Sequence, residues 1–599
     1  MIPALKKRAL FIILIVAAAF AVYAPSLRNG YVWDDSALIQ RDPFIRSWRL
    51  IAEGFRHFLF ADATASDFYR PMQRLTYTWD YAWSAFRPAI YHFNNILIHG
   101  LAAVFLFLFL ERLLGILQRP RAAEWAAAAA GLWAIHPLFT SAVCYISGRA
   151  DPLAALFGFC GLWLALRFSR TASAVAALMF FCAILSKESG AIFMALCVAL
   201  MVLLRQPRAG IIRWVALCLL VACAYLSLRL SAEHISPPPA APLAWEARPI
   251  IALRAFAEYA GLFLAPVRLH MERDVLPFGR GDLSTTVVIA RNREFQTLLG
   301  AMLLAGFVIW MRWARRRDAA VFAGLVCFGV AYLPICGLFS LNASVAEHWL
   351  YVPGAFLLLA MLLSAAYLPV SRPAGVMILG LWALFLAGRT YLRNPDWHDQ
   401  RTFLEKTIAD GGGSARMLIN LGDLELTQEH TDLAVADFQK ALALTPDQPF
   451  ALVSLGSAYL HAKRYDLARQ QFDKATTFPI TEADAYQALA VLDYQESRAD
   501  RLDLLEKAAR LAPEDWSIQK RLIDHLGERG ETDSAIAALR AIVIAEPWRA
   551  DAWRVLGDFW VHERQWQSAE RAYRKAIDLD VHDEESPKIL AEVEDQMGR

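Results

Sequence analysis

Cysteine is scarce in this chain, and what there is cannot build a framework. Eight cysteines are spread over 599 residues with no C-x-x-C pair. Cys160, Cys182, Cys197, Cys218, Cys223 and Cys327 lie inside apolar runs, and Cys144 and Cys336 stand near run ends. Neither a zinc site nor a disulfide scaffold is indicated. Beyond residue 393 there is no cysteine at all, so that part of the chain suits either redox compartment. An excess of charge of one sign is also missing. The formal net charge of +2 is too small to point to a nucleic-acid partner, and the basic residues fall in short links rather than in one patch.

What the chain has in abundance is apolar sequence, 57% of its residues, unevenly spread. Residues 1–393 carry long apolar runs broken by short basic or proline-containing links, whereas 394–599 is charge-rich with helical patterning. The pattern predicts an all-α chain: a polytopic membrane domain over 1–393, a linker over 394–413 around Gly411-Gly412-Gly413, and a soluble domain over 414–599. About 20 apolar residues span a bilayer. Eleven spans are read, near 9–27, 91–111, 123–141, 152–168, 172–186, 189–204, 211–230, 295–311, 318–338, 349–368 and 374–392. Lys6-Lys7-Arg8 ahead of the first run fits a retained signal anchor better than a cleaved signal peptide, since further runs follow.

The run 250–266 contains Arg254 and Glu258 and ends at Pro266. If it does not cross, Arg312, Arg315, Arg316, Arg317 and Arg372 fall on the same side as Lys6-Lys7-Arg8, as the positive-inside rule asks. The predicted topology then has the N-terminus in the cytoplasm and the C-terminal domain outside. It also gathers the polar turns on one face: the loop 28–90, the turn His136 to Asp151, Ser186-Lys187-Glu188-Ser189, the loop 231–293 and Glu347-His348.

A 34-residue period begins near Ser414. Leu421-Gly422, Leu455-Gly456, Leu489-Ala490 and Leu556-Gly557 recur, with Ala434, Ala468, Ala535 and Ala569, and with Phe438, Phe472 and Tyr573 four residues after three of them. Pro446, Pro479, Pro513 and Pro547 close successive units. This pattern resembles tetratricopeptide repeats, about five of them, the third and fourth degenerate. Small residues let paired helices approach, aromatics fill the seam, and proline ends the second helix.

Two adjacent carboxylates, Asp34 and Asp35, follow the first membrane run within Tyr31-Val32-Trp33-Asp34-Asp35. They can serve as a general base on a hydroxyl, hold a divalent cation, or cap a helix. Arg70 and Arg74 can meet an anionic phosphate or snorkel to headgroups. His92 and His99 share a helix face but lack an evident third ligand. Arg149 and Asp151 sit at a membrane edge after His136-Pro137, either as a local ion pair or with Arg149 facing a phosphate. Lys187-Glu188 and Glu347-His348 lie between apolar runs with almost no loop, where burial is tolerated only if they line a cavity.

In order along the chain, Trp33-Asp34-Asp35, Tyr69-Arg70-Pro71, His136-Pro137, Gly148-Arg149-Ala150-Asp151, Ser186-Lys187-Glu188 and Glu347-His348-Trp349-Leu350-Tyr351-Val352-Pro353 precede the repeats. The set resembles the transmembrane and tetratricopeptide-repeat O-mannosyltransferases (the TMTC group) and their bacterial relatives, over essentially the whole chain. That group belongs to the GT-C glycosyltransferases. The resemblance therefore implies a GT-C-like membrane domain, in an inner bacterial membrane, that takes a sugar from a polyprenyl phosphate on the non-cytoplasmic face. It implies Asp34 or Asp35 as base or acceptor-orienting group. Arg70, Arg149, Lys187, Glu188, Glu347 and His348 would lie around the lipid phosphate, with His136 and Asp151 in support. The acceptor would be a protein or an envelope glycan, recruited by the repeats. The resemblance fixes no cofactor, and a divalent metal is possible. Two rival readings are a membrane-anchored scaffold for envelope proteins and a transporter of lipid-linked sugar. The latter would place its polar residues near the bilayer midplane.

Overall fold

The computed structural model describes residues 2–60, 67–233, 245, 247–271, 273, 275, 283–339, 341, 343–496 and 501–598. Of the expected outer loop 231–293, residues 234–244, 246, 272, 274 and 276–282 lie outside the described residues. The chain is all-α: among the described residues extended pairing is limited to two isolated bridges, His57 with Glu233 and Arg273 with Val345. It folds as two compact units. The first comprises 1–35, 88–230 and 240–412, and the second 36–87, 231–239 and 413–599.

In the first unit every expected span is helical. Among the described residues six helices are long and apolar enough to cross a bilayer: Leu5–Arg28, Pro88–Ile116, Arg208–Ser231, Asn292–Arg317, Glu347–Ala365 and Arg372–Trp397. Ala122–Ala134 and Pro137–Val143 form a pair bent by 50°, broken where Pro137 denies the helix an N–H. The chain is accordingly a membrane protein. Ala150–Ala165, Arg170–Ser186, Ile192–Leu203 and Ala319–Tyr332 are shorter; at 1.5 Å per residue helices of this size reach about 18–26 Å, less than a hydrocarbon core. The helix Ala247–Leu264, carrying Arg254 and Glu258, is not among the six.

Pro88–Ile116 is the hub, packed by Ile2–Tyr23, Ala122–Ala134 and Ala150–Ala165. Close approach follows from small residues: a Cβ at Gly158 would lie 2.2 Å from the Phe193 ring, and one at Gly161 2.5 Å from Phe180. At the centre His99 stacks on Trp133 with ring centres 4.9 Å apart. The Tyr351 hydroxyl bonds His99 Nδ1 at 2.5 Å, while Nε2 reaches the Ala134 carbonyl at 2.9 Å. Both nitrogens of His99 are thus committed to the packing of the bundle.

Among its described residues the second unit contains five helix pairs: Ala415–Thr427 with Thr431–Leu444, Pro449–His461 with Tyr465–Ala475, Glu482–Gln495 with Arg501–Leu511, Trp516–Glu528 with Thr532–Ala545, and Ala550–His562 with Trp566–Leu579. Ser586–Gln596 packs on the last pair. The recurring aromatics press on the recurring glycines. A Cβ at Gly422 would meet Phe438 at 2.6 Å, at Gly456 Phe472 at 2.5 Å, and at Gly557 Tyr573 at 2.9 Å.

The segment 36–87 folds against the fifth pair. Phe44 and Leu50 share a buried cluster with Trp548 and Leu579. Tyr81 donates from its hydroxyl to Asp580 at 2.7 Å, Arg49 to Asp578 at 2.6 Å, and the Val581 N–H to the Arg46 carbonyl at 3.2 Å. Arg74 is buried, its guanidinium bound to Asp42 and to the carbonyls of Gly54, His57 and Phe58 at 2.8–3.0 Å. Four of its donor positions are thereby spent inside the segment.

Candidate active site

Trp33 adopts φ 54°, a left-handed conformation rare for non-glycine residues. It is held there by its N–H bond to Gln400 Oε1 at 2.6 Å and by the Phe403 ring at 5.7 Å. Strain that the surroundings over-determine in this way collects at functional sites. The next two residues are the acidic pair, and the turn Tyr145–Arg149 receives them.

Asp35 is fully buried. Its carboxylate accepts from the Ser147 N–H at 2.8 Å, the Ser147 hydroxyl at 2.6 Å and the Val32 N–H at 3.0 Å. Burial pushes its pKa up to about 7; the bonds from Ser147 and Val32 oppose the rise, and the charge of Asp34 adds to it. Asp34 is half-buried. Its backbone N–H donates to the Tyr145 hydroxyl at 3.1 Å, and that hydroxyl also bonds its carboxylate. Burial, then the charges of Asp34 and Asp35, hold the Tyr145 phenol far above its usual range, so it remains a donor. Two neighbouring carboxyls are thus given different environments, the usual arrangement for splitting acid and base roles.

The same turn carries Arg149 and Asp151. Arg149 is fully buried, donating to Asn95 Oδ1 at 2.6 Å and the Tyr91 carbonyl at 2.9 Å, which fixes the turn to the Pro88–Ile116 helix. Asn95 in turn donates to the carbonyls of Val143, Tyr145 and Ile146. Gly148 is required where the turn meets residues 141–142: a Cβ there would stand 2.5 Å from the Ser141 carbonyl oxygen. Asp151, at the start of Ala150–Ala165, takes both oxygens to Lys187 Nζ at 2.7 Å. That pair retains about a tenth of its side-chain exposure, 11% for Lys187 and 12% for Asp151. Glu188 is half-buried with Arg229 at 3.9 Å.

Other candidates stand elsewhere in the unit. Glu347 is fully buried with Arg393 at 2.8 Å, and Arg393 also donates to Thr140 Oγ1 at 2.6 Å and the Pro137 carbonyl at 3.1 Å. His348 is half-buried beside Trp349. His136 is buried, accepting from the Leu138 N–H at Nδ1 and bonding the Phe263 carbonyl through Nε2, so it braces the broken helix. Arg70 belongs to the second unit, its guanidinium over the Phe68 ring at 4.5 Å. Among the described residues no three His, Cys, Asp or Glu side chains converge to hold a metal ion.

The turn Tyr145–Arg149 thus binds Asp34 through Tyr145 and Asp35 through Ser147, and Asp151 just beyond it pairs with Lys187. Tyr145, Ser147, Asn95 and Arg393 were not singled out from the sequence. Each acts through a contact distant in the chain: Asp34 with Tyr145, Asp35 with Ser147, Asn95 with Arg149 and Glu347 with Arg393.

The fold defines a class: a polytopic helical membrane unit joined to a tetratricopeptide solenoid. The tetratricopeptide repeat family model matches residues 419–488 and 520–583. Across 95% of its length the chain is similar, at 22% identity, to protein O-mannosyl-transferase TMTC3 of Homo sapiens, covering 64% of that protein. It is 23% identical to protein O-mannosyl-transferase F38B6.6 of Caenorhabditis elegans over 73% of this chain and 63% of that one. The chain therefore spans somewhat under two thirds of the length of these curated relatives. Among solved structures, the tetratricopeptide protein YrrB matches 31% of the chain at 22% identity with a TM-score of 0.22, covering 96% of YrrB.

Proposed function

We propose that this chain is a membrane glycosyltransferase of the GT-C type. It moves a sugar from a polyprenyl-phosphate donor to a hydroxyl of a protein acceptor, on the extracytoplasmic face of a bacterial inner membrane. The observation that carries this reading is the extent of the similarity to proteins named as O-mannosyl-transferases, 95% of this chain in the case of TMTC3. The two carboxyls held in unlike environments by the Tyr145–Arg149 turn supply a matching chemistry.

In this reading Asp34 is the base. It takes the proton of the acceptor hydroxyl as the oxygen attacks the anomeric carbon from the face opposite the phosphate. The new C–O bond forms while the sugar–phosphate bond breaks. The leaving polyprenyl phosphate keeps the electron pair, and the anomeric configuration inverts. Asp35 near neutrality shares its charge with Asp34 and sets how readily the pair accepts a proton. Lys187, partly exposed on Asp151, is the cation that turns to the departing phosphate, where a preorganised charge lowers the barrier. Arg149 acts by fixing the turn through Asn95 and Tyr91. The repeats hold the acceptor protein.

The test is sugar transfer from a polyprenyl-phosphate sugar, mannose first, to protein in membranes containing this chain. Asp34→Asn is expected to lower the rate by about 10²–10⁴, the usual contribution of a positioned base. Full activity in that variant contradicts the assignment.

A further inference from the structure

The exposed large aromatics of the second unit gather at one patch, with Phe450 and Tyr494 standing singly elsewhere. Trp48, Trp79 and Trp83 are 43%, 54% and 73% exposed and lie in ring contact, edge-on with centres 5.8 Å apart for the first pair and tilted with centres 6.0 Å apart for the second. Three of the four exposed tryptophans among the described residues therefore meet at one place. Phe86 and Arg87, also exposed, follow directly.

The helix Pro71–Ser84 is two-sided. Tyr77 and Tyr81 are buried, and Tyr81 bonds Asp580 of the fifth repeat; Trp79 and Trp83 face outward. Four residues beyond Ser84 the chain enters Pro88–Ile116, one of the helices long and apolar enough to cross a bilayer. Four Cα steps span at most about 15 Å, so the end of Pro71–Ser84 that carries Trp83 is tethered by the chain itself to the start of that helix. Ile90 and Phe93 are already exposed within the first two turns of that helix, as expected where it meets hydrocarbon.

We infer that Trp48, Trp79 and Trp83 form an interfacial anchor that inserts into the outer surface of the bilayer, with Arg87 at the lipid phosphates. The segment 36–87 is then a bracket, one face gripping the fifth repeat and the other resting on lipid. Tryptophan is the side chain that favours this layer, with an apolar body and one N–H for the headgroups. A saccharide is the less suitable occupant. Sugars stack on a flat face, and these rings meet at 81° and 42°, presenting edges and a wedge. The inference needs no catalytic turnover and stands apart from the transferase reading.

The test uses the full chain in phosphatidylcholine nanodiscs with a diazirine placed on the acyl chain just below the glycerol. Adducts are mapped by peptide mass spectrometry after illumination. Adducts are expected on Trp79 and Trp83 as well as on the Pro88–Ile116 helix, and their loss from residues 79–87 is expected in a Trp48→Ser/Trp79→Ser/Trp83→Ser variant. Labelling of Pro88–Ile116 in that variant shows that it is still folded and inserted. Labelling of that helix in the wild type with none at residues 48, 79 or 83 overturns the inference. So does labelling of these tryptophans by a photoactivatable oligosaccharide but not by the lipid.

Discussion

Asp35 lies in surroundings that favour its neutral form, and this has consequences for pH. Its folded pKa of about 7 stands above the ordinary carboxylate value of 3.8, so the folded chain holds a proton that the unfolded chain has released. Its contribution to stability is whole below about pH 4 and is lost as pH rises to about 7, a difference of up to about 4 kcal/mol. Thermal unfolding in detergent from pH 4 to 8 is expected to show a steeper decline for wild type than for Asp35→Asn; equal slopes contradict it. Ser147 donates to the ionised form. Ser147→Ala is therefore expected to move the acidic limb of the transfer-rate profile upward by about one to two pH units, the worth of a charge-assisted bond. Glu347 and Arg393 form a pair with almost no exposure. Glu347→Gln leaves the buried Arg393 guanidinium with only the longer contact to Asp396 at 4.0 Å as a carboxylate partner and should destabilise the chain by up to about 3–5 kcal/mol, read as a fall in unfolding temperature.

At the scale of elements, the repeat is decided by a glycine on one helix and an aromatic on its partner. Gly456→Ala puts a methyl into the Phe472 ring, and overpacking of this kind is expected to destabilise by about 1–3 kcal/mol. Phe472→Leu in the same chain should restore part of it, whereas additive losses would contradict the seam. These pairs were legible because spacing alone carries them: 34 residues per unit, Gly422 against Phe438, Gly456 against Phe472, Gly557 against Tyr573. The apolar runs were legible from composition, and they fold as helices except that the run 123–141 is broken before Pro137 into two. Their lengths were less so. Ile192–Leu203 reads as a span by composition, but its end is set by the tight turn at Lys187–Ala191, where a Cβ on Gly190 would lie 2.3 Å from the Ala183 carbonyl oxygen. The acidic pair stood out in the sequence, while its partners Tyr145 and Ser147 did not, since a contact across 112 residues leaves no local periodicity. The same holds for Trp548, whose ring meets that of Phe44 at 4.5 Å from far along the chain.

Taken whole, the chain joins two different solutions to the problem of burying helices. One unit pairs its buried polar groups at the breaks between apolar helices, as at Asp35–Ser147 and Glu347–Arg393; the other stacks short helix pairs and captures residues 36–87. The chain leaves the first unit immediately after Asp35, so the acidic pair and the seat on the fifth repeat are consecutive in sequence. Trp548→Ala opens the cluster of Phe44, Leu50 and Leu579, and the loss of a buried aromatic is worth about 3–5 kcal/mol. Faster proteolysis is expected within 36–87 as well as within 546–582; cleavage confined to the repeats contradicts a shared unit. The central claim, that the Asp34-Asp35 turn is the acceptor side of a glycosyl transfer, is tested most directly by one measurement. It is the rate of mannose transfer from a polyprenyl phosphate to protein, followed from pH 5 to 9 in membranes carrying wild type, Asp34→Asn or Asp35→Asn. The account predicts a rate near background for Asp34→Asn at every pH, and for Asp35→Asn a residual rate without the inflection near pH 7. Wild-type rates and profiles in both variants would contradict it.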